Sequence, residues 1–319
     1  MATPEDVVQF FLTELETKLA GRHVDLVVLP EAAFPPINEE ARRELAPVTV
    51  GPFLESTNAR LATIAARSDA SLLVGGNAVT GWTSDGSSRV GSEIRNAAYY
   101  FPAQADDVQR YDKIHLVPFS ESAPFARGPA WLQRWGLAIA ARRATQPLTA
   151  GKLETTVPFV LTWPQSNDGE QQSLRFIAPI CLEAADARVV ARMMRVAHDE
   201  RKPVKLIANL SNDGWFATQE KYQHFQTLVL RSIEHRVPLV RSSNTGISGW
   251  INSTGRVRET VAVNAGGAAI ARVELDDRRT LYSRYGDVFA GVCMGLATLG
   301  AALQVWLSLR GKAKDQPND

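Results

Sequence analysis

The chain has 319 residues, of which 45% are hydrophobic, and its 35 basic and 34 acidic side chains leave a net charge of +1. This length holds one large domain or two ordinary ones, and the apolar fraction is sufficient for a sizeable core. A near-neutral chain without a basic tract before its extreme C-terminus is not typical of nucleic-acid-binding proteins.

Cysteine and histidine usage predicts neither a disulfide framework nor a metal site. Cys181 and Cys293 form no CxxC pair, and the five histidines are scattered without an HExxH-like spacing. We therefore expect no metal and no cofactor.

The first half of the chain predicts two amphipathic helices and several short strands. Thr3, Pro4 and Asp6 form the start of a helix. Its apolar face follows helical spacing at Val8, Phe11, Leu12, Leu15 and Leu19. Further predicted elements are a buried strand at 24–29, a helix at 56–68, a strand at 71–74 with a turn at 75–77, and a strand at 96–101.

The second half alternates strands with helices after a long excursion at residues 128–158, which we interpret as a surface arm or a lid. Predicted strands are 157–162, 175–180, 204–210 and 238–242, with helices at 187–198 and 221–235. Residues 249–251 and 268–274 are predicted to close the pattern as a hairpin around 252–255. This alternation indicates an α/β domain with buried sheets.

Residues 174–185, with the sequence LRFIAPICLEAA, place Cys181 where a buried strand is predicted to turn into a helix. The strand would fix the position of the thiol, and the amides of the first helical turn could stabilise a thiolate or an oxyanion. This position suits a nucleophile. The alternative is a structural thiol, because free cysteine is among the residues most often buried.

Three charged residues are further catalytic candidates. Glu31 ends the apolar strand at 24–29, where a carboxylate is costly to bury without a partner or a task. Lys113 and Glu121 lie in the extended, polar segment 109–125. Taken singly, each could also be a turn residue, a salt-bridge partner or a solvated charge.

Six ordered motifs together resemble the nitrilase superfamily of carbon–nitrogen hydrolases. They are VDLVVLPEAAFP (24–35), YDKIHLVPFSE (111–121), APICLE (178–183), LSNDGWF (210–216), SSNTGISGWIN (242–252) and TLYSRYGD (280–287). Within the superfamily the chain looks most similar to the catalytic domain of the apolipoprotein N-acyltransferases, because of its arm-like insertion and its C-terminal apolar segment.

The resemblance implies a nitrilase-like α-β-β-α sandwich followed by one C-terminal transmembrane helix. It implies that Glu31 is a general base, that Lys113 stabilises an oxyanion and that Cys181 is the nucleophile. The implied supporting residues are Glu121, which would hold Lys113 and Glu31 in register, the amide of Leu182, and Glu183 as a structural carboxylate.

Substrate contacts are predicted for Trp215 and Asn244 in the matching motifs and for Trp131 and Trp135 in the arm. The arm would help to exclude water from an acyl-enzyme. Leu182 stands where these acyltransferases usually have a tyrosine, a departure that bears on how a lipid substrate fits.

Residues 288–309 carry no charge and are long enough to cross a bilayer as a helix, with small residues at Gly291, Gly295 and Gly300. By the positive-inside rule, the basic residues that follow predict a cytoplasmic C-terminal end; they are Arg310, Lys312 and Lys314. We therefore expect a catalytic domain at 1–287 on the outer side of the membrane, a span at 288–309 and a tail at 310–319. The alternative is a buried helix of a soluble protein.

The N-terminal residues show neither a basic region nor an apolar region of a signal peptide. The resemblance implies several membrane helices and a first core strand ahead of the first predicted helix. We therefore expect a fragment, one half of a split protein or a degenerate copy.

The implied function is N-acyltransfer in the bacterial inner membrane. Cys181 would take a fatty acyl group from a phospholipid as a thioester and pass it to the N-terminal amine of a diacylglyceryl-cysteine lipoprotein. The expected partners are these lipid and lipoprotein substrates and the membrane, without nucleic acid. Two alternatives are an amidase of the same superfamily that hydrolyses a small amide, and an inactive remnant.

Overall fold

The computed structural model describes residues 3–84, 89–104, 107–118, 120–122, 129–132, 134–135, 147–152, 158–163, 172–197 and 203–314. The chain divides into two compact units, Met1–Asp277 and Arg278–Asp319. Most of the predicted arm at 128–158 lies outside the described residues.

The first sheet has four strands in the order β1-β2-β3-β4. They are β1 (Leu26–Val28), β2 (Ser71–Ser84), β3 (Arg89–Phe101) and β4 (Gln109–Asp112). β1 runs parallel to β2, and the other neighbours are antiparallel. The turn predicted at 75–77 is wrong, because β2 continues through Gly75 and Gly76. A Cβ on Gly75 would lie 2.4 Å from the carbonyl oxygen of Pro30, so the glycine permits close approach of another chain segment.

The second sheet has six strands in the order β10-β9-β8-β7-β6-β5. They are β5 (Phe159–Trp163), β6 (Gln172–Ile177), β7 (Val204–Asn212), β8 (Leu239–Asn244), β9 (Ser248–Ile251) and β10 (Val257–Val261). The central pairs β6–β7 and β7–β8 are parallel, and the remaining pairs are antiparallel. The carboxyl ends of β6, β7 and β8 therefore meet at the same edge of the sheet.

The described residues of the first unit include the following helices. They are α1 (Pro4–Leu19), α2 (Glu39–Leu45), α3 (Gly51–Ser68), α4 (Ala187–Val196) and α5 (Thr218–His235). The predicted start of α1 is confirmed, since the Thr3 hydroxyl accepts a hydrogen bond from the amide of Asp6 at 3.1 Å and the Asp6 carboxylate accepts one from the amide of Thr3 at 2.7 Å.

Alternate residues of the first sheet pack on opposite faces, as the pleat requires. Leu73 belongs to a core cluster that includes Tyr100 of the first sheet and Phe176 of the second, whose rings lie 5.4 Å apart. Leu72 and Val74 instead pack against α1 and α3. Helices α4 and α5 add their buried side chains to the cluster of the second sheet. The predicted α-β-β-α sandwich is confirmed.

The hairpin at the end of the second sheet differs from the predicted one. Its arms are β9 and β10, whereas residues 268–274 form no strand. Only Arg256 separates residues 257–261 from the Asn252–Gly255 turn, whose Gly255 has φ +83°. The tight turn therefore decides the pairing.

The second unit contains α6 (Leu281–Tyr285) and α7 (Val288–Lys314). Within α7, Val288–Ser308 is 21 residues long with a mean hydropathy of 1.8, and none of it is buried inside the structure. At 1.5 Å per residue this segment is about 31 Å long, close to the thickness of a bilayer core. By length and composition it is a candidate membrane span.

Candidate active site

Glu31 lies just beyond the carboxyl end of β1. The amide of Leu29 donates to the carbonyl of Leu73 at 2.8 Å, which extends the pairing with β2 up to the turn. Ala32 then adopts φ +54°, and the turn packs against Gly75, where a side chain would also lie 2.6 Å from the Cα of Glu31. The Glu31 side chain is 6% exposed, so the turn directs a carboxylate into the protein.

Lys113 follows β4 directly and is fully buried. Its amide donates to the carbonyl of Asn96 at 2.8 Å, so the position of its backbone is set by β3. The Nζ atom lies 2.7 Å from Glu121 Oε1 and 3.4 Å from Glu31 Oε1. One ammonium thus bridges two carboxylates, the arrangement expected for a buried lysine that keeps its charge.

Cys181 lies past the carboxyl end of β6 at the start of a 3-10 turn, Cys181–Ala184. The 3-10 turn separates the strand from the helix predicted at 187–198, and α4 begins at Ala187 as predicted. Cys181 adopts φ +54°, a left-handed conformation that is strained for a residue with a Cβ. The elbow presents a thiol that is 7% exposed.

Asn96 is a residue of the site that sequence reasoning missed. Its Nδ2 donates to Glu31 Oε1 at 2.6 Å and to Glu121 Oε1 at 3.3 Å. The amide of Asn212 donates to the other oxygen of Glu31 at 2.7 Å. These donors fix the orientation of the Glu31 carboxylate. Asn96 lies in β3, outside the motif YDKIHLVPFSE that begins in β4, so the motif did not point to it.

Glu183 is fully buried and connects the elbow to the segment after β4. Its Oε1 accepts hydrogen bonds from the amides of Ile114 at 2.7 Å and His115 at 2.9 Å, and its Oε2 accepts one from the amide of Ile180 at 2.8 Å. The Tyr111 hydroxyl lies 2.9 and 2.8 Å from the two oxygens. Glu183 therefore holds the loop that carries Lys113 against the turn that carries Cys181.

The pKa values of the central groups reflect both burial and neighbouring charge. Burial, and then the charge of Glu31, raise the pKa of the Cys181 thiol to about 12, against opposing effects of Lys113 and the Ser211 hydroxyl. Burial acts to lower the pKa of Lys113, but the negative charges of Glu31, a Cys181 thiolate and Glu121 raise it above its ordinary value. The resting site therefore holds a neutral thiol beside a charged lysine.

The predicted substrate-contacting residues lie at the protein surface. Trp131 and Trp135 are each 69% exposed, and Trp215 is 78% exposed. Asn244 ends β8, is also exposed, and accepts a hydrogen bond from the amide of Asp213 through its carbonyl at 3.0 Å. Leu182 is partly buried and packs against the core cluster. Their predicted contacts with substrate stay predictions.

A nucleophile, a proton acceptor and a cation can act together in this arrangement. A thiol beside a carboxylate can be deprotonated as it attacks, and a lysine ammonium can stabilise the negative charge that develops on a carbonyl oxygen. Among the described residues, no group of three or more His, Cys, Asp or Glu side chains is arranged to hold a metal ion. The chemistry that fits these groups is acyl transfer through a thioester.

Comparison with known families matches residues 12–281 to the carbon–nitrogen hydrolase family. An apolipoprotein N-acyltransferase from Geobacter metallireducens is 31% identical over 209 residues, which cover 65% of this chain and 36% of that protein. One from Bradyrhizobium diazoefficiens is 34% identical over 64% of this chain and 34% of that protein. One from Ralstonia nicotianae is 27% identical over 93% and 50%. The chain thus spans about a third to a half of the length of these relatives.

Solved structures with a similar fold have low sequence identity. A mutant of an amidase from Nesterenkonia in complex with butyramide superposes with a TM-score of 0.52 at 13% identity, over 83% of both chains. A carbon–nitrogen hydrolase from Helicobacter pylori gives a TM-score of 0.51 at 13% identity, over 82% of both chains. At this identity the similarity establishes the fold alone.

Proposed function

The chain belongs to the carbon–nitrogen hydrolase family, and from that premise we propose that it is an N-acyltransferase that forms a thioester at Cys181. The acyl donor is a phospholipid, and the acceptor is the N-terminal amine of a diacylglyceryl-cysteine lipoprotein. The names of the relatives from Geobacter and Bradyrhizobium support this assignment. The observation that carries it is the convergence of Glu31, Lys113 and Cys181 at one buried point between the two sheets.

In the first half-reaction, Glu31 takes the proton of the Cys181 thiol as the sulfur attacks the ester carbonyl of the phospholipid. The carbonyl oxygen becomes an oxyanion. Lys113 has three donors, of which two are directed at Glu121 and Glu31, so a third is left for this oxyanion. The amide of Leu182 is the second oxyanion donor. The intermediate then collapses to the thioester, and the leaving alkoxide of the lysophospholipid receives the proton held by Glu31.

In the second half-reaction, the amine of the acceptor attacks the thioester carbonyl. Glu31 takes a proton from the attacking nitrogen and returns it to the departing sulfur of Cys181, so the enzyme regains its starting protonation state. The same oxyanion donors act in both halves. Hydrolysis by water is the competing reaction, and the exposed tryptophans Trp131 and Trp135 are proposed to help exclude water where the lipid substrate enters.

The apolar helix α7 supports a site of action at the membrane. We propose that it spans the bacterial inner membrane with the catalytic unit on the periplasmic side. A membrane-bound enzyme meets its two lipid substrates in the same bilayer, which raises their local concentration. The assignment of residues 1–287, 288–309 and 310–319 to catalytic domain, span and tail follows from this topology.

The proposal is tested by the intact mass of detergent-purified protein after incubation with phospholipid. We expect a fatty-acyl mass increment that hydroxylamine removes. Cys181→Ala should abolish it, whereas Cys293→Ala, which changes the other cysteine of the chain, should retain it. An increment that persists in Cys181→Ala would contradict the proposal.

The same assay tests whether Lys113 acts as an oxyanion donor, by comparing its loss with the loss of another buried lysine. Lys113→Met should slow formation of the adduct about 100-fold or more, as loss of an oxyanion donor does in other enzymes. Lys221 is a matched control because it is also buried, at 6% exposure, yet its Nζ donates to the carbonyl of Thr245 and to Asn264 Oδ1. Lys221→Met should retain the adduct if the folded structure is kept.

Hydrolysis of a small amide is the second candidate function. It is favoured by the enclosure of the thiol, since Cys181 is only 7% exposed and a small substrate needs less opening than an acyl chain. Absence of an acyl adduct together with release of ammonia from simple amides would support this amidase reading. The reaction would use Glu31, Lys113 and Cys181 in the same roles.

A further inference from the structure

A second cluster of buried charges lies beside the candidate site at the carboxyl ends of β7 and β8. Arg241 Nη2 donates to Asp213 Oδ2 at 2.6 Å, and both side chains are fully buried. The other nitrogens of the same guanidinium donate as well: Nη1 donates to Asn209 Oδ1 at 2.9 Å, and Nε donates to the carbonyl of Ile247 at 3.1 Å. Gly246 allows the close packing, because a Cβ there would lie 2.1 Å from Asp213 Oδ2.

The first connection from this cluster to the elbow runs through Asn209. Because a guanidinium only donates, Arg241 fixes the oxygen of the Asn209 amide toward itself and leaves the nitrogen to donate. Asn209 Nδ2 lies 2.9 Å from the carbonyl of Pro179 and 3.4 Å from the carbonyl of Cys181. The cluster thereby supports the backbone on both sides of the left-handed Cys181 conformation.

The second connection runs through Ser211, which is fully buried near the end of β7. Its hydroxyl donates to Asp213 Oδ1 at 2.9 Å. The β-bridge between Ile180 and Leu210, and the hydrogen bond from the amide of Glu31 to the Ser211 carbonyl at 3.4 Å, place Ser211 beside the Cys181 turn. In agreement with this position, the Ser211 hydroxyl opposes the rise in the pKa of Cys181. A hydroxyl has one proton to donate. The Asp213 carboxylate and a Cys181 thiolate therefore compete for it.

The Asp213 carboxylate depends little on the hydrogen bond from Ser211, because other groups also contact it. Its Oδ2 already receives the charged donor of Arg241, and its Oδ1 lies 3.1 Å from His224 Nδ1. Burial would raise the pKa of Asp213, but the hydrogen bond with His224 and the charge of Arg241 lower it to about 2. The carboxylate stays ionised and keeps two donors if the Ser211 hydroxyl turns away.

We propose that Ser211 is a further catalytic residue, whose hydroxyl turns from Asp213 to the Cys181 sulfur when Glu31 removes the thiol proton. The thiol proton moves to the Glu31 carboxylate. The serine O–H then donates its hydrogen bond to the new thiolate instead of to Asp213, and no covalent bond of Ser211 changes. Asp213 and Arg241 are positioning residues that act through Ser211 and Asn209. This inference deepens the proposed function, since it rests on Cys181 as the nucleophile.

Charged and titratable side chains from several elements lie around the thiol. They are Glu31 after β1, Lys113 and Glu121 after β4, Asp213 after β7 with His224 of α5, and Arg241 of β8. Replacing Ser211 leaves all of these charges in place. A change in thiol titration in a Ser211 variant would therefore report the hydroxyl itself.

The test is the rate at which iodoacetamide alkylates Cys181 as a function of pH, followed by intact mass in a Cys293→Ala background. Ser211→Ala should slow alkylation about 10- to 100-fold below the titration midpoint of the thiol, the range expected for one hydrogen bond to a charged group. The rate profile should move to higher pH by the corresponding one to two pH units, roughly. Acyl-adduct formation should slow in parallel.

Ser232→Ala is the matched control. Ser232 is also fully buried, and its hydroxyl makes no hydrogen bond within the described residues. This variant should alkylate at the starting rate. Alkylation of Ser211→Ala at that same rate, with an unshifted profile, would overturn the role of Ser211. Absence of an acyl adduct in the unmodified protein would instead overturn the proposed function, and the alkylation comparison does not depend on it.

Discussion

At the level of single residues, Glu183 is a carboxyl group whose ionised form is disfavoured by burial and favoured by its hydrogen-bond donors. Burial raises its pKa to about 7, while hydrogen bonds from Ile180, His115 and Tyr111 and the charge of Lys113 limit the rise from the ordinary 4.5. The folded protein therefore holds this proton to higher pH than the unfolded chain does. It follows that the contribution of Glu183 to the free energy of unfolding is greatest below pH 4.5 and declines up to about pH 7.

We expect Glu183→Gln to flatten this pH dependence. The shift from 4.5 to about 7 corresponds to about 3 kcal/mol across the window. The variant should also be less stable, by about 1–3 kcal/mol. In the unmodified protein both carboxylate oxygens of Glu183 accept hydrogen bonds from backbone N–H groups. In the variant, the amide NH2 group of the glutamine replaces one of these oxygens and cannot accept the bond. Urea unfolding at several pH values within the window measures both effects.

Glu16→Gln is the control for this experiment, since its side chain is 52% exposed and paired with Arg60 at the surface. It should keep the pH dependence of the unmodified protein. A Glu183→Gln variant whose free energy of unfolding still fell with pH as steeply as that of the control would contradict the assignment.

The catalytic candidates show what local sequence can and cannot reveal about a site. Glu31 and Cys181 were recognisable because a polar residue that ends an apolar strand is costly without a role. Asn96, Ser211 and Arg241 carried no such signal, because each lies within a strand, where the sequence does not show whether a polar side chain faces solvent or the interior. Their importance comes from contacts over long sequence separations, such as the 65 residues between Asn96 and Glu31.

At the level of elements, the strands of the second sheet were predictable and the glycines of the first sheet were misleading. Buried parallel strands are nearly continuous apolar runs, so β7 and β8 stand out in the sequence. Gly75 and Gly76 have the composition of a turn but serve the close approach of the Glu31 turn to β2. Sequence alone does not distinguish these two uses of glycine, because the second depends on a segment about 45 residues away.

We therefore expect Gly75→Ala to disturb the site through the backbone. A Cβ at this position would lie 2.4 Å from the oxygen of Pro30 and 2.6 Å from the Cα of Glu31, and neither atom can rotate away. Displacement of the Glu31 turn should lower stability by about 1–3 kcal/mol, as overpacking does, and slow acyl-adduct formation more than 10-fold. Thermal unfolding and the intact-mass assay measure the two effects.

Gly266→Ala provides the comparison, because a Cβ there meets nothing within 4 Å. It should leave both the unfolding temperature and the adduct unchanged. If Gly75→Ala also behaved in this way, the close approach of β2 to the Glu31 turn would not be needed for the position of the base.

At the level of the whole molecule, the fold class and the apolar helix were predicted by different signals. The alternation of strands and helices predicted the α/β class. The α-β-β-α sandwich was implied only by the resemblance of the six motifs to the nitrilase superfamily. The long apolar helix was visible from composition alone, since an uncharged run of this length is rare outside membranes. The structure divides at Asp277, whereas the sequence prediction placed residues up to 287 in the catalytic domain, because the TLYSRYGD motif at 280–287 was matched to that domain.

The orientation of α7 in a membrane is a prediction that rests on the residues flanking the helix. Aromatic and basic side chains are paired at both ends of the span: Arg284 stacks over Tyr285 at 5.3 Å, and Arg310 over Trp306 at 3.9 Å. Such pairs suit both membrane interfaces. The basic residues within seven positions of the span favour its C-terminal side: Arg310, Lys312 and Lys314, against Arg284 on the other side. The positive-inside rule thus predicts a cytoplasmic tail.

Cysteine labelling in spheroplasts tests this topology. Starting from a chain with Cys181→Ala and Cys293→Ala, one variant carries Glu14→Cys on α1, where the side chain is 46% exposed, and another carries Gln316→Cys in the tail. A membrane-impermeant maleimide should label Glu14→Cys in intact spheroplasts and Gln316→Cys only after lysis. Both should be labelled in lysed cells, which controls for the reactivity of each position. The reverse pattern would put the catalytic unit in the cytoplasm, where periplasmic lipoprotein maturation could not be its task.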